Sequence, residues 1–402
     1  MNGITFFREL RLRNFLSYGP DSQPLSLQPL NVLIGPNASG KSNLLEAIGL
    51  LSATPRDLVQ RVGSVGDWLW KGTPSNDRAA AEIDAVVECP PDTLSGMIPL
   101  RYRMSFTQVG QRMELVDEVI EEAERRRNNE NDVFFYYRYE HGHPVLNYRR
   151  ADQDSTYQKR ELRREDLRLD QSVLSQRKDI DLYPEITYLG EQFGRMPLYR
   201  EWNFGRFAPP RLPQPADAPI DFLLEDCSNL GLVLNDLEHR GQRNILRAYL
   251  QRFYAAIEDI SVKVYGGTAQ VFVHERGLNQ PIPATRLSDG TLRFLCLLAI
   301  LCHPSPPPVV CLEEPELGLH PDIMPMLAEL LLQGAERTQL FVTTHSSDLV
   351  SELTSVPEAI VVCDRDEDGT RLQRLEAAKL EEWLDKYTLG DLWRMGEIGG
   401  TA

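Results

Sequence analysis

The sequence predicts an α/β fold in which a mostly parallel core sheet is joined to an antiparallel β-lobe and a helical lobe. Short apolar runs at residues 30–34, 309–312 and 339–344 alternate with segments of helical spacing, which is typical of a parallel sheet covered by helices. Residues 79–148 alternate apolar and polar positions, as the strands of an antiparallel sheet do. No heptad run is long enough for a long coiled coil.

The first part of the chain predicts a hairpin and then a strand, loop and helix. Alternation over residues 4–18 predicts a half-buried strand, and the glycine, proline and aspartate at residues 19–21 predict a turn before a second strand at residues 25–27. The apolar run at residues 30–34 ends in a glycine-rich loop, after which leucines and isoleucine recur at helical spacing up to residue 51.

The middle of the chain predicts the helical lobe and an irregular connection. Residues 161–177 and 221–236 are charged and carry leucines at helical spacing, so we expect a helix in each. Residues 199–219 contain several prolines, which cannot donate to a regular ladder, and we expect an irregular path there.

The last part of the chain returns to alternating strands and helices. We expect helices at residues 244–257, 291–302, 321–336 and 381–393, and strands at residues 261–265, 269–275, 309–312, 339–344, 359–363 and 372–375. We interpret the chain as one domain over residues 1–402, with an N-terminal part at 1–75, the β-lobe and helical insertion at 76–260, and a C-terminal part at 261–402.

Composition restricts the function classes. A formal net charge of −16 argues against a protein whose whole surface binds nucleic acid. Two basic stretches leave DNA open as a partner: one comprises Arg125, Arg126 and Arg127, and the other comprises Arg149, Arg150, Lys159, Arg160, Arg163 and Arg164. Acidic residues interleave with the second stretch, so we favour a solvated face with internal ion pairs over a DNA track.

The sequence shows neither a targeting pattern nor a CxxC pair of cysteines. No run approaches the roughly 18 apolar residues of a membrane helix, and no leader pattern precedes the first strand, so we expect a cytoplasmic protein without a membrane partner. The six cysteines form no CxxC pair, which predicts reduced, structural thiols.

The first chemical motif is the loop between the predicted strand and helix, which reads GPNASGKS and matches GxxxxGK[ST]. Its glycines let the backbone curl so that N–H groups converge on a phosphate, and the helix N-terminus adds its dipole. Lys41 is expected to reach the β- and γ-phosphates, and the Ser42 hydroxyl to ligate Mg²⁺. The predicted nucleotide-binding residues are Gly35, Pro36, Asn37, Ala38, Ser39, Gly40, Lys41, Ser42 and Asn43.

Carboxylates and a histidine follow the two later apolar strands. Glu313 comes at the end of the run at residues 309–312 and is expected to hold Mg²⁺, while Glu314 orients or deprotonates the attacking water. Glu316 is expected in the following turn, facing a partner subunit. His345 follows the next strand, at the sheet edge where a γ-phosphate would lie, so we assign it to the catalytic group with Glu314.

A second anion site is predicted at residues 286–291, which read RLSDGT ahead of an apolar helix. Ser288 is suited to the N-cap, Asp289 follows it, and Gly290 lets a ligand approach the backbone, so the free N–H groups of the first turn can bind an anion. One nucleotide does not need two such sites in the same chain.

These motifs resemble those of ABC-type P-loop ATPases in the RecF-, SMC- and OLD-like branch. LSDGT is similar to the ABC signature, and GPNASGKS, CLEEPELGLHP and TTHS occur in the order expected of that branch. Residues 12–18 are similar to the stretch that precedes the P-loop in RecF and SMC heads, and by this analogy Arg13, Asn14 or Ser17 contacts the nucleotide. Residues 198–202 and 209–211 look like those of predicted bacterial AAA-family ATPases.

The resemblance implies a dimer in which the signature of one protomer covers ATP on the P-loop of the other, head to tail. It also implies a Q-loop glutamine at the metal, for which Gln176 is our candidate and Gln192 the alternative. The tail after His345 is too short for the Toprim nuclease domain of OLD proteins, and Asp364, Asp366 and Asp368 are interpreted as a polar hairpin turn instead of a metal cluster.

Three functions compete at this point. The first is an ATP-hydrolysing dimeric switch in DNA repair or antiviral defence, with a separate nuclease or other effector protein. The second is the ATP-binding subunit of a membrane transporter, against which the N-terminal pattern, the Glu-Glu pair and the proline-rich insertion speak. The third is a nucleotide-binding assembly protein that hydrolyses ATP slowly or not at all.

Overall fold

Three β-sheets organise the part of the chain that the computed structural model describes, residues 3–72, 80–89, 98–124, 133–140, 142–149 and 157–399. The strands of these residues are β1 (Phe7–Arg13), β2 (Leu25–Ser26), β3 (Leu30–Ile34), β4 (Ala81–Val87), β5 (Leu100–Val109), β6 (Arg112–Glu122), β7 (Phe135–Glu140), β8 (His143–Arg149), β9 (Tyr157–Glu161), β10 (Leu198–Tyr199), β11 (Gln214–Pro215), β12 (Ile257–Tyr265), β13 (Thr268–Glu275), β14 (Ile282–Pro283), β15 (Val309–Glu313), β16 (Gln339–Thr343), β17 (Ile360–Asp366) and β18 (Gly369–Arg374). The helices are α1 (Lys41–Ala53), α2 (Leu58–Val62), α3 (Val65–Trp68), α4 (Val173–Gln176), α5 (Pro184–Phe193), α6 (Leu230–His239), α7 (Arg243–Phe253), α8 (Asp289–Leu301), α9 (Met324–Ala335), α10 (Ser347–Glu352), α11 (Ala377–Leu384) and α12 (Leu389–Arg394).

The core sheet has the order β10-β15-β16-β3-β17-β18 and is parallel except for its last pair. Its central strands are buried on both faces, which explains why their sequences are apolar without alternation. Alternate residues enter two different cores: Val309 and Cys311 join one, and Val310 and Leu312 join the other. The predicted mostly parallel core sheet is therefore confirmed.

Helices cover both faces of the core sheet. The helices α6, α8 and α9 contribute to the core that contains Val310, and α1 and α5 contribute to the core that contains Val309. Because β10, β15, β16, β3 and β17 run in the same direction, their carboxyl ends lie at one edge of the core sheet. The loops that carry the predicted chemistry follow β3, β15 and β16 at that edge.

The antiparallel β-lobe is an eight-stranded sheet of order β2-β1-β4-β5-β6-β7-β8-β9. Its predicted strands and the hairpin of β1 and β2 are confirmed. The buried side chain of Gln339 joins this lobe to the core, since its Oε1 accepts the N–H of Phe7 at 2.7 Å and its Nε2 donates to the carbonyl of Phe7 at 2.8 Å. A third, smaller sheet is formed by β11, β12, β13 and β14.

The helix expected over residues 161–177 is wrong except for its last turn, α4. Glu161, the last residue of β9, pairs with Val145 of β8, and the N–H of Leu115 in β6 donates to the carbonyl of Leu169 at 2.7 Å. The chain therefore runs along the β-lobe, with a 3₁₀ turn at Arg164–Asp166. Leu162 and Leu174 are buried in the core that the β-lobe shares with α1 and α5, so the leucine spacing does not mark one helix. The structure thus places most of this segment in the β-lobe.

Two other helix predictions need corrected boundaries. The helix expected from residue 221 begins only at Leu230, and the helix expected over residues 381–393 is two helices, α11 and α12. Thr388 is the N-cap of α12 and forms a capping box with Asp391, so a separate helix begins there.

Several smaller expectations can be compared with the structure. Asp366 and Asp368 lie in the β17–β18 hairpin and pair with Arg371, and no group of three or more metal-ligating residues occurs in the described residues. All six cysteines are free and buried. None of the described helices is both long and apolar enough to cross a bilayer. Arg125, Arg126, Arg127 and Arg150 lie outside the described residues.

Candidate nucleotide site

The glycine-rich loop between β3 and α1 has a backbone that only glycine accommodates at two points. Gly35 has φ 141° and Gly40 has φ 101°, and Gly40 is the N-cap of α1. A Cβ atom on Gly40 would collide with Thr370 and would lie 2.7 Å from Ser17 Oγ. The loop therefore curls tightly against its neighbours, with the N-terminus of α1 directed at its centre.

Residues from both ends of the chain brace this loop from outside. Tyr18 donates its hydroxyl to the carbonyl of Gly40 at 3.0 Å, and Thr370 on β18 donates to the carbonyl of Ser39 at 2.9 Å. The hydroxyl of Thr370 also lies 2.7 Å from that of Ser17. The loop is thus held in its curled form by the protein itself, before any ligand contributes.

Polar groups inside the loop suit an anion. Lys41 is buried, and its ammonium donates to the carbonyls of Gly35 at 2.8 Å and Pro36 at 2.9 Å. Burial lowers the pKa of Lys41, which means that its charge is incompletely compensated. The buried hydroxyl of Ser39 has no hydrogen-bond partner among the described residues. A phosphate group would satisfy these groups.

Ser42 and Glu313 meet at the carboxyl ends of β3 and β15. The Ser42 hydroxyl donates to Oε1 of Glu313, while Nε of Arg200 lies 2.9 Å from Oε2 of the same carboxylate. A hydroxyl and a carboxylate are hard oxygen donors of the kind that Mg²⁺ prefers. The residues present therefore fit a magnesium ion beside the glycine-rich loop.

Glu314 and His345 face each other at the ends of β15 and β16. Glu314 has φ 47°, an uncommon backbone for a residue with a side chain, and its N–H donates to the carbonyl of Thr343 at 3.0 Å. His345 Nε2 lies 3.6 Å from Glu314 Oε1. Both side chains are about one third exposed, at 35% and 37%, so a ligand over the sheet edge can reach them.

The carboxyl group of Glu316 bonds within its own chain, although we expected it to face a partner subunit. Its Oε1 accepts the hydroxyl of Thr344 at 2.6 Å and the N–H of His345 at 3.1 Å, and burial raises the pKa of its carboxyl group. Glu316 thus holds the loop that carries the histidine, a role that no signal in the sequence distinguished from a solvent-facing turn.

The predicted second anion site opens at α8. Ser288 is the N-cap and accepts the N–H of Thr291 at 3.1 Å. A Cβ atom on Gly290 would lie 2.9 Å from the carbonyl of Gly318, so the turn packs closely on the loop that follows β15. Arg211, which is buried, pairs with Asp289 and donates to the carbonyls of Leu287 at 2.5 Å and Phe204 at 2.7 Å.

A protein-family model described as "AAA domain, putative AbiEii toxin, Type IV TA system" matches residues 30–351. That span includes the glycine-rich loop, both strand-end carboxylates and the histidine. The chain belongs to this family. No curated protein matches the sequence.

Solved structures with a similar fold are heads of SMC proteins. One is an SMC head bound to the C-winged helix domain of ScpA; it has a TM-score of 0.57 at 12% identity, and the match covers 93% of this chain and 99% of that head. Another, an SMC head with an extended coiled coil bound to the C-terminal domain of ScpA from Pyrococcus furiosus, has a TM-score of 0.53 at 13% identity and covers 95% and 99%. The fold of this family member is similar to that of these SMC heads.

Some predicted ligand-binding residues lie elsewhere or act differently. Gln176 is engaged away from Glu313, because its Oε1 accepts the N–H of Arg168 at 2.8 Å and its Nε2 donates to the carbonyl of Gln171 at 2.8 Å. Nothing in these contacts places Gln176 at the metal, and its assignment there stays a prediction. The alternative, Gln192, lines a surface cleft with Pro55 and Leu174.

The residues ahead of the glycine-rich loop divide into two groups. Ser17 lies against the loop, where it accepts the side-chain amide of Asn43 at 2.8 Å, so Asn43 braces Ser17 through that amide. Arg13 points to the β-lobe, with its guanidinium 3.7 Å from Glu82. Asn14 takes φ 50° and uses its carbonyl to accept the N–H of Trp70 at 2.9 Å.

The segment after β10 contains site residues that the sequence did not reveal. Trp202 donates its indole N–H to the carbonyl of Glu313 at 2.7 Å, and the guanidinium of Arg293 on α8 stacks on the Trp202 ring and donates to the carbonyl of Glu314 at 3.0 Å. Together with Arg200 and Arg211, these residues connect the strand-end carboxylates to the signature turn. Alternating arginines and aromatics in residues 200–211 were the available signal.

Proposed function

We propose that this chain is a Mg²⁺-dependent ATPase that works as an ATP-driven, head-to-tail dimeric switch. The observation that carries the proposal is the meeting of Ser42, Glu313, Glu314 and His345 beside the curled loop, where three parallel strands end. Groups for the phosphates, the metal and the attacking water are then within one site.

The roles follow from the chemistry of each side chain. Lys41 and the N–H groups of the loop bind the β- and γ-phosphates, and Ser42 and Glu313 hold Mg²⁺, which neutralises phosphate charge when bound. Glu314 orients the attacking water and accepts its proton, and His345 contacts the γ-phosphate from the adjacent strand. The fixed backbone of Glu314 and the contacts of Glu316 to the histidine loop support this positioning.

The dimer is proposed because the signature turn presents to solvent a second helix N-terminus that can bind an anion, besides the glycine-rich loop. The side chain of Asp289 is 72% exposed and Ser288 is exposed, yet the turn is rigidly supported by buried Arg211. Such a turn suits the γ-phosphate of ATP bound to a second copy, and hydrolysis would then loosen the pair.

The biological context is also a proposal. The family description names a putative toxin of a type IV toxin–antitoxin system, and the two SMC heads were solved with a ScpA domain bound. We infer a role in defence or repair in which the switch acts on a separate effector protein. Contact with DNA stays a prediction tied to the two basic stretches.

The test is ATP turnover by purified protein with two variants. Lys41→Ala should weaken nucleotide binding, because it removes the buried cation of the loop. Glu314→Gln should bind ATP normally but lower turnover by about 10²-fold or more, because the amide keeps the shape and cannot accept a proton. Wild-type turnover in Glu314→Gln would remove Glu314 from the catalytic group, and absence of turnover in the wild type would favour a nucleotide-binding assembly protein.

A further inference from the structure

Arg200 occupies a position beside the proposed metal carboxylate that no motif in the sequence assigns. The strand β10 pairs in parallel with β15, with Leu198 opposite Cys311 and Tyr199 opposite Leu312. Arg200 therefore leaves the sheet at the same edge, directly beside Glu313. Strand pairing across more than a hundred residues creates this neighbourhood, so the sequence alone could not indicate it.

The guanidinium of Arg200 bridges two carboxylates. Its Nε lies 2.9 Å from Oε2 of Glu313, and its Nη1 pairs with Oε1 of Glu46, which lies on α1 one turn after Ser42. Ser42 binds the opposite oxygen of Glu313. Oε2 of Glu313 has no hydrogen-bond partner among the described residues, so Arg200 holds that oxygen by charge alone, beside the glycine-rich loop.

An arginine cannot do what a metal-ligating side chain does at this position. The guanidinium has five N–H donors and no acceptor, so it cannot coordinate Mg²⁺. It neutralises Glu313 instead, and a divalent cation binding to the same carboxylate must compete with it. The Arg200 side chain is 40% exposed, which gives it room to move away from Glu313.

We propose that Arg200 is a positioning residue that holds the carboxylate of Glu313 beside the glycine-rich loop and competes with Mg²⁺ for it. This competition sets how strongly Mg²⁺ promotes nucleotide binding. This inference rests on the proposed nucleotide and metal site, but not on turnover. Trp202, two residues later, donates to the carbonyl of Glu313, so the segment that carries Arg200 contacts Glu313 twice.

The experiment measures the affinity of a fluorescent, non-hydrolysable ATP analogue with excess Mg²⁺ and with EDTA. Arg200→Gln should tighten binding in Mg²⁺ by about fivefold, the fold-change of a partly exposed ion pair, and leave binding in EDTA unchanged. Arg200→Lys keeps the positive charge and should restore wild-type affinity in Mg²⁺. Thermal melting checks that each variant is folded.

Arg61→Gln is the matched control. Arg61 pairs with the other oxygen of Glu46 at 3.2 Å, so this change removes the same charge from the same cluster without a direct contact to Glu313. It should leave the Mg²⁺ dependence at the wild-type value. An equal effect of Arg61→Gln would show a general charge effect and overturn the proposal.

Two further outcomes contradict the proposal. Weaker binding of Arg200→Gln in both Mg²⁺ and EDTA would make Arg200 a phosphate ligand, and unchanged binding in both would make the ion pair irrelevant. Phosphate release is measured separately on the wild-type protein, so a failed ATPase proposal leaves the binding result interpretable. If Arg200→Gln changes the Mg²⁺ dependence of binding while the wild-type protein shows no turnover, the proposed role of Arg200 is supported and hydrolysis is refuted.

Discussion

The two anion-binding turns of this protein, the glycine-rich loop before α1 and the signature turn before α8, have similar chemistry and opposite surroundings. The glycine-rich loop is enclosed: Ser39, Gly40 and Lys41 are buried, and Tyr18 and Thr370 donate to its carbonyls. The signature turn is supported from one side by Arg211 and Gly318 and is open on the other.

The difference indicates which ligands the two turns are suited to bind. An enclosed loop with a buried ammonium, and with a hydroxyl that has no partner among the described residues, is complete enough to bind phosphate with residues of its own chain. An open turn with a fixed backbone completes a site only when another surface covers it. The comparison predicts that changes at the first turn remove nucleotide binding, and that changes at the second remove only what depends on a second protomer.

The same substitution in both turns gives the largest contrast. Gly40→Ala forces a side chain into a left-handed backbone at φ 101° and against Thr370, so nucleotide affinity should fall by about a hundredfold or more. Gly290→Ala would place a Cβ 2.9 Å from the backbone carbonyl of Gly318, so the signature turn must shift; turnover and ATP-induced dimerisation should fall while nucleotide affinity stays unchanged. Titration calorimetry and light scattering measure the two effects. Equal losses of nucleotide affinity in the two variants would show that the two turns do not differ in their part in nucleotide binding.

A mixture of two inactive variants tests whether the open turn serves a second protomer. Ser288→Arg places bulk and charge in the signature turn, and Lys41→Ala disables the enclosed loop. A mixed dimer keeps one intact loop facing one intact turn, so part of the wild-type ATPase activity should return. If mixed dimers form and no activity returns, the head-to-tail arrangement loses its support.

Arg211 tests how the open turn is supported. Its guanidinium is buried and bonds to the carbonyls of Phe204 and Leu287 and to Asp289. Arg211→Met should lower the free energy of unfolding by about 2 kcal/mol, because carbonyls are left without a donor, and it should reduce turnover more than nucleotide affinity. Arg206→Met, a change of an exposed arginine in the same segment, is the control. Denaturant unfolding together with both functional assays separates the two arginines.

The enclosed loop could be predicted from sequence because its determinants are local. The strand at residues 30–34 was predicted with its observed boundaries, since a central parallel strand is apolar throughout and glycines end it. The leucines of residues 161–177 misled because the backbone of much of this segment runs beside β-strands, which a helical pattern does not reveal. The neighbourhoods of Arg200 and Thr370 depend on strand order and could not be predicted from local pattern.

Thr370 gives the smallest expected effect and tests whether the enclosure of the loop matters. Its hydroxyl donates to the carbonyl of Ser39 and lies 2.7 Å from Ser17 Oγ, although Thr370 belongs to the tail hairpin. Thr370→Val keeps the shape and removes the hydroxyl, so we expect a loss of about 1 kcal/mol in unfolding free energy. Nucleotide affinity should fall about threefold, because a looser loop is less preorganised for phosphate.

Thr370→Ser is the matched control, because it keeps the hydroxyl and removes only a methyl group. Its affinity should stay closer to the wild-type value than that of Thr370→Val, although lost packing of the methyl group can lower its stability. If Thr370→Val loses stability without losing affinity, the tail hairpin serves only to hold the sheet together, and the enclosure of the loop is not what prepares it for phosphate. If both variants lose affinity equally, packing of the methyl group is responsible instead of the hydrogen bond to Ser39. Only a selective loss in Thr370→Val supports a loop that the tail of the chain preorganises.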